Sequence, residues 1–115
     1  MIQEGQIVLF RFPFADRKEV KLRPALVIRQ LPGTHGDWLI CMITSQLSQE
    51  IISFDETISE EDSDFSNSGL KFDSVIRIGR LAVVNKTILE GAIGEISSER
   101  LNRIKNRLSD WLIGK

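Results

Sequence analysis

Arg23 is the first residue of chemical interest, because it stands directly before Pro24 at the start of the apolar run PALVIRQL. A residue before proline is biased towards an extended backbone, so this arginine side chain would leave the strand from a well-defined position. A guanidinium is a planar fork of donors that matches phosphate oxygens in bidentate geometry. Arg23 is therefore either a solvated residue at the start of a strand or a group that binds a phosphate.

Several other kinds of catalytic or metal site lack the residues they need. His35 is the only histidine and lies in the turn PGTHGD, with no second histidine or cysteine near it. Cys41 is the only cysteine, and in the apolar run WLICMI we expect a small buried hydrophobe rather than a nucleophile. The chain has no G-x-S-x-G elbow and no glycine-rich phosphate loop. We therefore expect no metal and no cofactor, and an enzyme built on arginine, hydroxyls and carboxylates.

The charges of the chain are unevenly distributed. The formal net charge is −1, yet no lysine or arginine lies between Arg29 and Lys71, and residues 55–64 carry six acidic groups. That acidic run lacks the spacing and the glycine of a calcium loop. A fixed acidic segment beside Arg23 would repel phosphate, so we expect residues 55–69 to form a solvated loop that lies away from Arg23 or swings aside.

The hydrophobic pattern predicts a mainly β domain with many strands. β-forming residues continue until Pro13, and the near-continuous apolar run after Pro24 is typical of a strand buried on both faces. A fourth strand would place Ile52, Phe54 and Glu56 on one face. The predicted strands are residues 6–12, 24–31, 37–46 and 51–58, then two short strands around Gly79 within residues 71–89, with a polar surface loop at residues 15–22.

The end of the chain has the period of an amphipathic helix. Ser97 or Ser98 could cap its first turn, and Gly114 marks its end. Its apolar residues recur at the spacing of one helical stripe, which we expect to face the core. This stripe consists of Leu101, Ile104, Leu108, Trp111 and Leu112.

Length and composition indicate one ordinary globular domain over residues 1–115. No apolar run approaches the roughly 20 residues that span a bilayer. The N-terminal MIQEGQ lacks the basic flank and apolar segment of a secretory signal. We therefore expect a cytoplasmic protein without a membrane partner.

Four stretches carry a resemblance to a known family. GQIVLFRFPF is followed by a polar loop and LRPALVI, then by a strand ending in MITSQ, and later by SVIRIGRLAVVNKTILEGAIGEIS before the final helix. In this order and spacing, the chain resembles the PemK/MazF family of toxin endoribonucleases from type II toxin–antitoxin systems. The resemblance extends from Gly5 to the final helix.

The resemblance implies a fold and an activity. The expected fold is a small SH3-like barrel, shared with the toxin CcdB, that carries a C-terminal amphipathic helix and usually forms a homodimer. The expected activity is metal-independent cleavage of single-stranded RNA, which leaves a 2′,3′-cyclic phosphate and a 5′-hydroxyl. A cognate antitoxin would occupy the same groove as the RNA.

The resemblance also assigns site residues. The family's active-site arginine falls on Arg23 and its active-site threonine on Thr44, and Ser45, the next residue, could share the role. Glu19 is the nearest match to a glutamate that many members carry in the preceding loop. A protonated arginine cannot act as the general base, and Glu19, Asp16 and His35 all stay open for that role.

Two alternatives belong to other functional classes. CcdB poisons gyrase through its C-terminal end rather than by cutting RNA, and this chain also ends in a tryptophan-bearing segment, DWLIGK. A protein-binding inhibitor on the same barrel is therefore one alternative. The other is a family member that only binds RNA or a partner, because the pI of about 5.8 is low for a dedicated RNA-binding protein.

Overall fold

The computed structural model describes residues 1–12 and 21–115, and shows a six-stranded antiparallel sheet with a C-terminal helix. The strands pair in the order β4-β5-β3-β2-β1-β6. This confirms the expected mainly β fold, with the sheet curled as a half-barrel. Among the described helices, none is long and apolar enough to cross a bilayer. The elements are β1 (Gln6–Phe12), β2 (Lys21–Gln30), β3 (Asp37–Thr44), β4 (Glu56–Ile58), α1 (Phe65–Ser68), β5 (Ser74–Asn85), β6 (Ala92–Glu95) and α2 (Ser98–Leu112), with 3₁₀ turns at Leu47–Gln49 and Lys86–Ile88.

The first and third strands confirm the predicted runs, and the later strands differ from them. Strand β2 begins at Lys21 rather than at Pro24, so residues 21–22 of the predicted loop belong to the strand, and residues 15–20 lie outside the described residues. The two short strands predicted around Gly79 are one strand of 12 residues, β5. Its register on β3 shifts between the pairs Cys41–Leu81 and Met42–Arg77, so the extra residues of β5 form a bulge instead of ending the strand. Strand β6 has no counterpart among the predictions, because four largely exposed residues give no hydrophobic pattern.

The strand predicted over residues 51–58 is wrong in its extent. Only Glu56–Ile58 pairs with β5. The preceding residues form a turn, closed by the carboxylate of Asp55, which accepts the N–H of Ile51 at 2.9 Å. Ile52 is 75% exposed while Phe54 packs against the core, so these two side chains do not share a buried face.

Apolar side chains cover both faces of the sheet. On one face, the strands pack against α2 through Ile104 and Leu108. The opposite face carries a second cluster that contains Trp38. Cys41 is fully buried in the helix-side cluster, as expected, and this burial raises the pKa of its thiol. Burial of each large aliphatic side chain contributes about 1.5–3 kcal/mol to the free energy of folding. The two clusters therefore stabilise the sheet that positions the surface groups.

Helix α2 follows the prediction at its start and departs from it at its end. The hydroxyl of Ser97 accepts the N–H of Arg100 at 3.1 Å, which is the expected N-terminal cap. The prediction that Trp111 and Leu112 lie in the core is wrong, because they are 58% and 65% exposed. The last turn of the helix extends past the core cluster, and the Trp111 ring makes a tilted contact with Phe54 at a centroid distance of 6.1 Å.

The acidic segment is not the solvated loop that we predicted. Arg100 of α2 is buried, and its guanidinium makes five hydrogen bonds, one for each of its N–H groups. Asp64 accepts two of them, at 2.8 and 3.1 Å. Asp62 accepts one at 2.9 Å and Glu56 another at 3.2 Å, while the carbonyl of Thr57 accepts the fifth at 3.0 Å.

Two further arginines of α2 complete this ion-pair cluster. Arg103 contacts Glu56 at 2.7 Å, and Arg107 contacts the other oxygen of the same carboxylate at 2.9 Å. We call Glu56, Asp62, Asp64, Arg100, Arg103 and Arg107 the ionic clasp. The prediction of a solvated loop failed because the compensating bases lie 36 to 51 residues away along the chain, from the Arg100–Asp64 pair to the Arg107–Glu56 pair. A helical spacing of three and four residues was their only signal in the sequence.

Candidate active site

Arg23 lies exposed on β2, close to the end of the strand pair that β2 forms with β3. Pro24, the next residue, pairs with Leu9 of β1, while the pairing with β3 begins only at Ala25. A proline is tolerated here because β3 does not need its missing N–H. The local sequence therefore holds Arg23 on an extended backbone, as the sequence predicts, and its side chain lies in solvent.

Thr44 ends β3 at the same end of this strand pair. Arg23 and Thr44 each lie two residues beyond the Ala25–Met42 pair. The half-buried Thr44 accepts the N–H of Gln46 on its Oγ1 at 3.1 Å. This bond uses a lone pair of the oxygen and not the hydroxyl hydrogen. The hydrogen can therefore be donated to another group, such as a phosphate oxygen. Ser45 follows beyond the strand end and is exposed.

Arg77 is a third polar group at this end of the central strands, and the sequence analysis did not identify it. We call the part of the surface that carries Arg23, Thr44 and Arg77 the edge. It lies on β5 opposite Met42, two residues from the Thr44–Val75 pair. Its Nη1 donates to Oε1 of Gln49 at 3.0 Å, and its buried Nε has no hydrogen-bond partner within residues 1–12 and 21–115. The signal was present in the sequence, because an arginine between two buried isoleucines on a strand must face the opposite side of the sheet.

A small cavity of about 120 Å³ adjoins Arg77, and its other lining residues are Ile51, Asp55, Gly79 and Arg80. Arg80 is exposed, so two guanidinium groups border this cavity. A larger cavity of about 360 Å³ lies at the start of α2 and is lined by Ser63, Asp64, Asn67, Glu95, Ile96, Ser97 and Ser98. Arg23, Thr44 and Ser45, the predicted site residues that the structure describes, do not line the larger cavity.

Of the three candidates for the general base, the structure describes only His35. Glu19 and Asp16 lie outside the described residues. His35 is exposed in the turn before β3, whereas Thr44 is the last residue of that eight-residue strand. At about 3.3 Å per residue, the length of β3 separates them by roughly 20 Å. One copy of the chain therefore does not bring His35 to the edge that carries Arg23 and Thr44.

A metal centre has no visible set of ligands in the part of the chain that is described. Over residues 1–12 and 21–115, no group of three or more histidine, cysteine, aspartate or glutamate side chains is arranged to hold a metal ion. The edge instead offers guanidinium groups and a hydroxyl. These groups bind anions, and their geometry suits the negative charge that develops when a phosphate is attacked.

The fold and this edge together define a half-barrel protein whose surface carries guanidinium groups and a hydroxyl at one end of the central strands. The family model for the PemK-like, MazF-like toxin of type II toxin–antitoxin systems matches residues 3–112. The chain therefore belongs to this family. A search of curated proteins gave no match by sequence.

Solved structures support the same fold. The MazE–MazF complex from Deinococcus radiodurans has a TM-score of 0.71 and 22% identity, with 98% of this chain and 96% of that chain covered. MazF from the same organism has a TM-score of 0.70 and 21% identity, with 99% and 97% covered. An endoribonuclease in complex with its cognate antitoxin, from a mycobacterial species, has a TM-score of 0.69 and 15% identity, with 97% and 95% covered. At these identities the likeness concerns the fold.

Proposed function

We propose that the protein is a toxin endoribonuclease that cleaves single-stranded RNA without a metal ion and inhibits growth. The products would carry a 2′,3′-cyclic phosphate and a 5′-hydroxyl. The observation that supports this proposal is the position of Arg23 and Thr44, each two residues beyond the Ala25–Met42 pair, on two adjacent strands. Arg77 adds a second guanidinium on the next strand. The family to which the chain belongs agrees with this activity.

The proposed chemistry is an internal attack by the 2′-hydroxyl. A bond forms between O2′ and phosphorus, the bond from phosphorus to O5′ breaks, and O5′ takes up a proton. Negative charge builds on the other phosphate oxygens during this step, where Arg23 and Arg77 would stabilise it and the Thr44 hydroxyl would donate a hydrogen bond. One hydrogen bond of this kind to a charged group is worth about 1.5–3 kcal/mol, which corresponds to roughly a ten- to hundredfold in rate. Ser45 is the alternative hydroxyl, and Glu19 is the carboxylate that we propose as the base for the 2′-hydroxyl proton.

The test is incubation of the purified protein with long single-stranded RNA in excess EDTA, followed by analysis of the new ends. We expect cleavage with 2′,3′-cyclic phosphate ends. Arg23→Ala should abolish cleavage while the melting temperature stays unchanged. Arg29→Ala is the matched control, because Arg29 is also exposed on β2 but lies near its other end. Intact RNA across several transcripts would overturn the proposal, and cleavage that EDTA abolishes would overturn its metal-free mechanism.

We further propose two protein partners, a second copy of the chain and a cognate antitoxin. The compared structures include toxin–antitoxin complexes, one of them described as containing the cognate antitoxin. Light scattering should give a dimer mass for the toxin alone. Co-expression with the product of an adjacent reading frame should yield a complex and block RNA cleavage. A monomer, or a reading-frame product that leaves cleavage unchanged, would contradict these assignments.

One observation favours a second candidate function, a protein-binding inhibitor. Trp111, Leu112 and Ile113 are 58%, 65% and 64% exposed at the end of the chain. Such a surface could bind a protein target, as the alternative based on CcdB requires. Deletion of residues 111–115 would abolish growth inhibition under this alternative, whereas Arg23→Ala would abolish it under the nuclease proposal. Growth inhibition that depends on neither would indicate a member that only binds RNA or a partner.

A further inference from the structure

Two glutamines link Thr44 to Arg77 by a continuous series of hydrogen bonds. The N–H of Gln46 donates to the Thr44 hydroxyl oxygen at 3.1 Å. Nε2 of Gln49 donates to Oε1 of Gln46 at 2.6 Å. Nη1 of Arg77 donates to Oε1 of Gln49 at 3.0 Å. The 3₁₀ turn that follows β3 therefore connects a hydroxyl on one strand to a guanidinium on the next.

The sheet alone would not bring these two groups to one point. Thr44 pairs with Val75, and Arg77 pairs with Met42, so Thr44 and Arg77 are diagonal neighbours on the two strands. Diagonal neighbours are separated by roughly 7–8 Å. A long arginine side chain at that separation has many rotamers, and holding one of them requires a partner. Gln49 is that partner.

Glutamine is the side-chain type that this position requires. A guanidinium only donates hydrogen bonds, so its partner must offer an oxygen. The same side chain must also donate to Oε1 of Gln46, and only the amide of glutamine has both functions at this length. A glutamate at position 49 would keep the acceptor for Arg77 but would place a second acceptor against Gln46.

A buried carboxylate fixes the backbone on both sides of this contact. Asp55 is 4% exposed. Its Oδ2 accepts the N–H of Ile51, two residues after Gln49, at 2.9 Å, and its Oδ1 accepts the N–H of Ile78, next to Arg77, at 3.1 Å. The turn that carries Gln49 and the strand that carries Arg77 are thus tied to one group.

We infer that Gln49 is a positioning residue for the RNA cleavage proposed above, on which this inference rests. Gln49 holds the Arg77 guanidinium on the Thr44 side of the edge, so that the cation and the hydroxyl meet the same phosphate. It acts through Arg77 and does not itself contact the reacting atoms. Replacing Gln49 should lower kcat rather than the affinity for RNA, because misplaced groups destabilise the transition state more than the bound RNA.

The experiment compares wild type, Gln49→Ala, Gln49→Glu, Arg77→Ala and the Gln49→Ala/Arg77→Ala double variant on one single-stranded RNA that the wild type cleaves. Gln30→Ala is the matched control, because Gln30 is an exposed glutamine at the other end of β2. We expect Gln49→Ala to lower kcat about tenfold with KM within about twofold, and Gln49→Glu to recover part of the loss. In the Arg77→Ala background, Gln49→Ala should have no further effect.

A second readout does not depend on turnover. In the wild type, nitrogen-15 NMR should show slow rotation of the Arg77 guanidinium, and Gln49→Ala should make this rotation fast. The inference is overturned if Gln49→Ala behaves like Gln30→Ala in both readouts, or if its effect adds to that of Arg77→Ala. A wild type that cleaves no RNA overturns the proposed function and the role of Gln49 in it together, whereas a cleaving wild type with an unaffected Gln49→Ala overturns only the positioning role.

Discussion

The molecule uses its arginines in opposite ways in two regions, the ionic clasp and the exposed edge with Arg23 and Arg77. In the clasp, the Arg100 side chain is 6% exposed, and protein acceptors take all its hydrogen bonds. At the edge, Arg23 lies in solvent, and Arg77 donates one hydrogen bond to a neutral amide. A guanidinium saturated by carboxylates has no donor left for a phosphate, while those at the edge do.

The difference also explains where the acidic charge of the chain goes. Glu56, Asp62 and Asp64 are neutralised by α2. Strand β4, which begins at Glu56, is separated from β2 by β5 and β3. The carboxylates that would repel RNA are thus used to attach the C-terminal helix. A net charge near zero therefore conceals an uneven distribution, in which the exposed guanidinium of Arg23 lies three strands away from Glu56.

Removal of Arg100 should have the largest effect of the changes that test this comparison. Arg100→Met leaves Asp64 buried without its cation, and breaking a buried pair in this way costs about 3–5 kcal/mol of unfolding free energy. Urea unfolding would measure the loss. Arg103→Met is the matched control, because its side chain is 50% exposed, and it should cost no more than about 1 kcal/mol. Equal losses in both variants would show that the clasp does not depend on the buried pair.

The second prediction concerns pH. Burial opposes ionisation of Asp64, but hydrogen bonds from Arg100 and from the N–H of Ser97 outweigh it and lower its pKa to about 2. Because the folded-state pKa lies below the unfolded value, the stabilisation is present above about pH 4 and is lost as the pH falls towards 2. The contribution is about 2–3 kcal/mol.

Asp64→Asn provides the measurement for this pH effect. The difference in unfolding free energy between wild type and Asp64→Asn should shrink steadily between about pH 5 and pH 2. Asp110→Asn, which changes an exposed carboxylate of α2, is the matched control. A difference that stays constant over this range would contradict the assigned role of the Asp64 carboxylate.

At the exposed edge, Thr44→Val should reduce RNA cleavage and cost no more than about 1.5 kcal/mol of stability, because the N–H of Gln46 loses its exposed hydrogen bond to Oγ1. A hydrogen bond to a charged group is worth about 1.5–3 kcal/mol, which corresponds to roughly a ten- to hundredfold loss of kcat. Thr57→Val is a matched control, because Thr57 pairs with the same Val75 from the other side and its side chain is exposed. If both variants cleave RNA at the wild-type rate, Ser45 becomes the candidate hydroxyl.

The smallest effect is expected for the acidic residues outside the clasp. Glu60 and Glu61 are exposed and follow β4, so their charges are screened over about 8 Å at physiological salt. Replacing both with serine should change RNA affinity by less than about twofold, as fluorescence anisotropy would show. Asp62 is left intact, because it accepts hydrogen bonds from Arg100 and from the N–H of Ser59. A large gain in affinity at low salt would place these carboxylates at the RNA edge.

The sequence was informative wherever the deciding contacts are local. The period of β1, β2 and β3, the Ser97 cap of α2 and the extended backbone of Arg23 before Pro24 all follow from neighbours within a few residues. The same holds for the placement of Arg23 and Thr44 at the same end of the β2–β3 strand pair, since adjacent strands joined by a short turn run antiparallel. The family resemblance then attached a chemistry to these two residues, which stays a prediction.

The remaining features required the tertiary structure, because the groups that produce them are far apart in the chain. The acidic segment reads as solvated until α2 brings Arg100 against Asp64. Arg77 reads as an ordinary strand residue until the turn after β3 places Gln49 beside it. A local pattern shows which side chains are charged or apolar, but the free energy of a charge depends on its burial and its partners. The packing of α2 and of the turn after β3 against the sheet determines those partners.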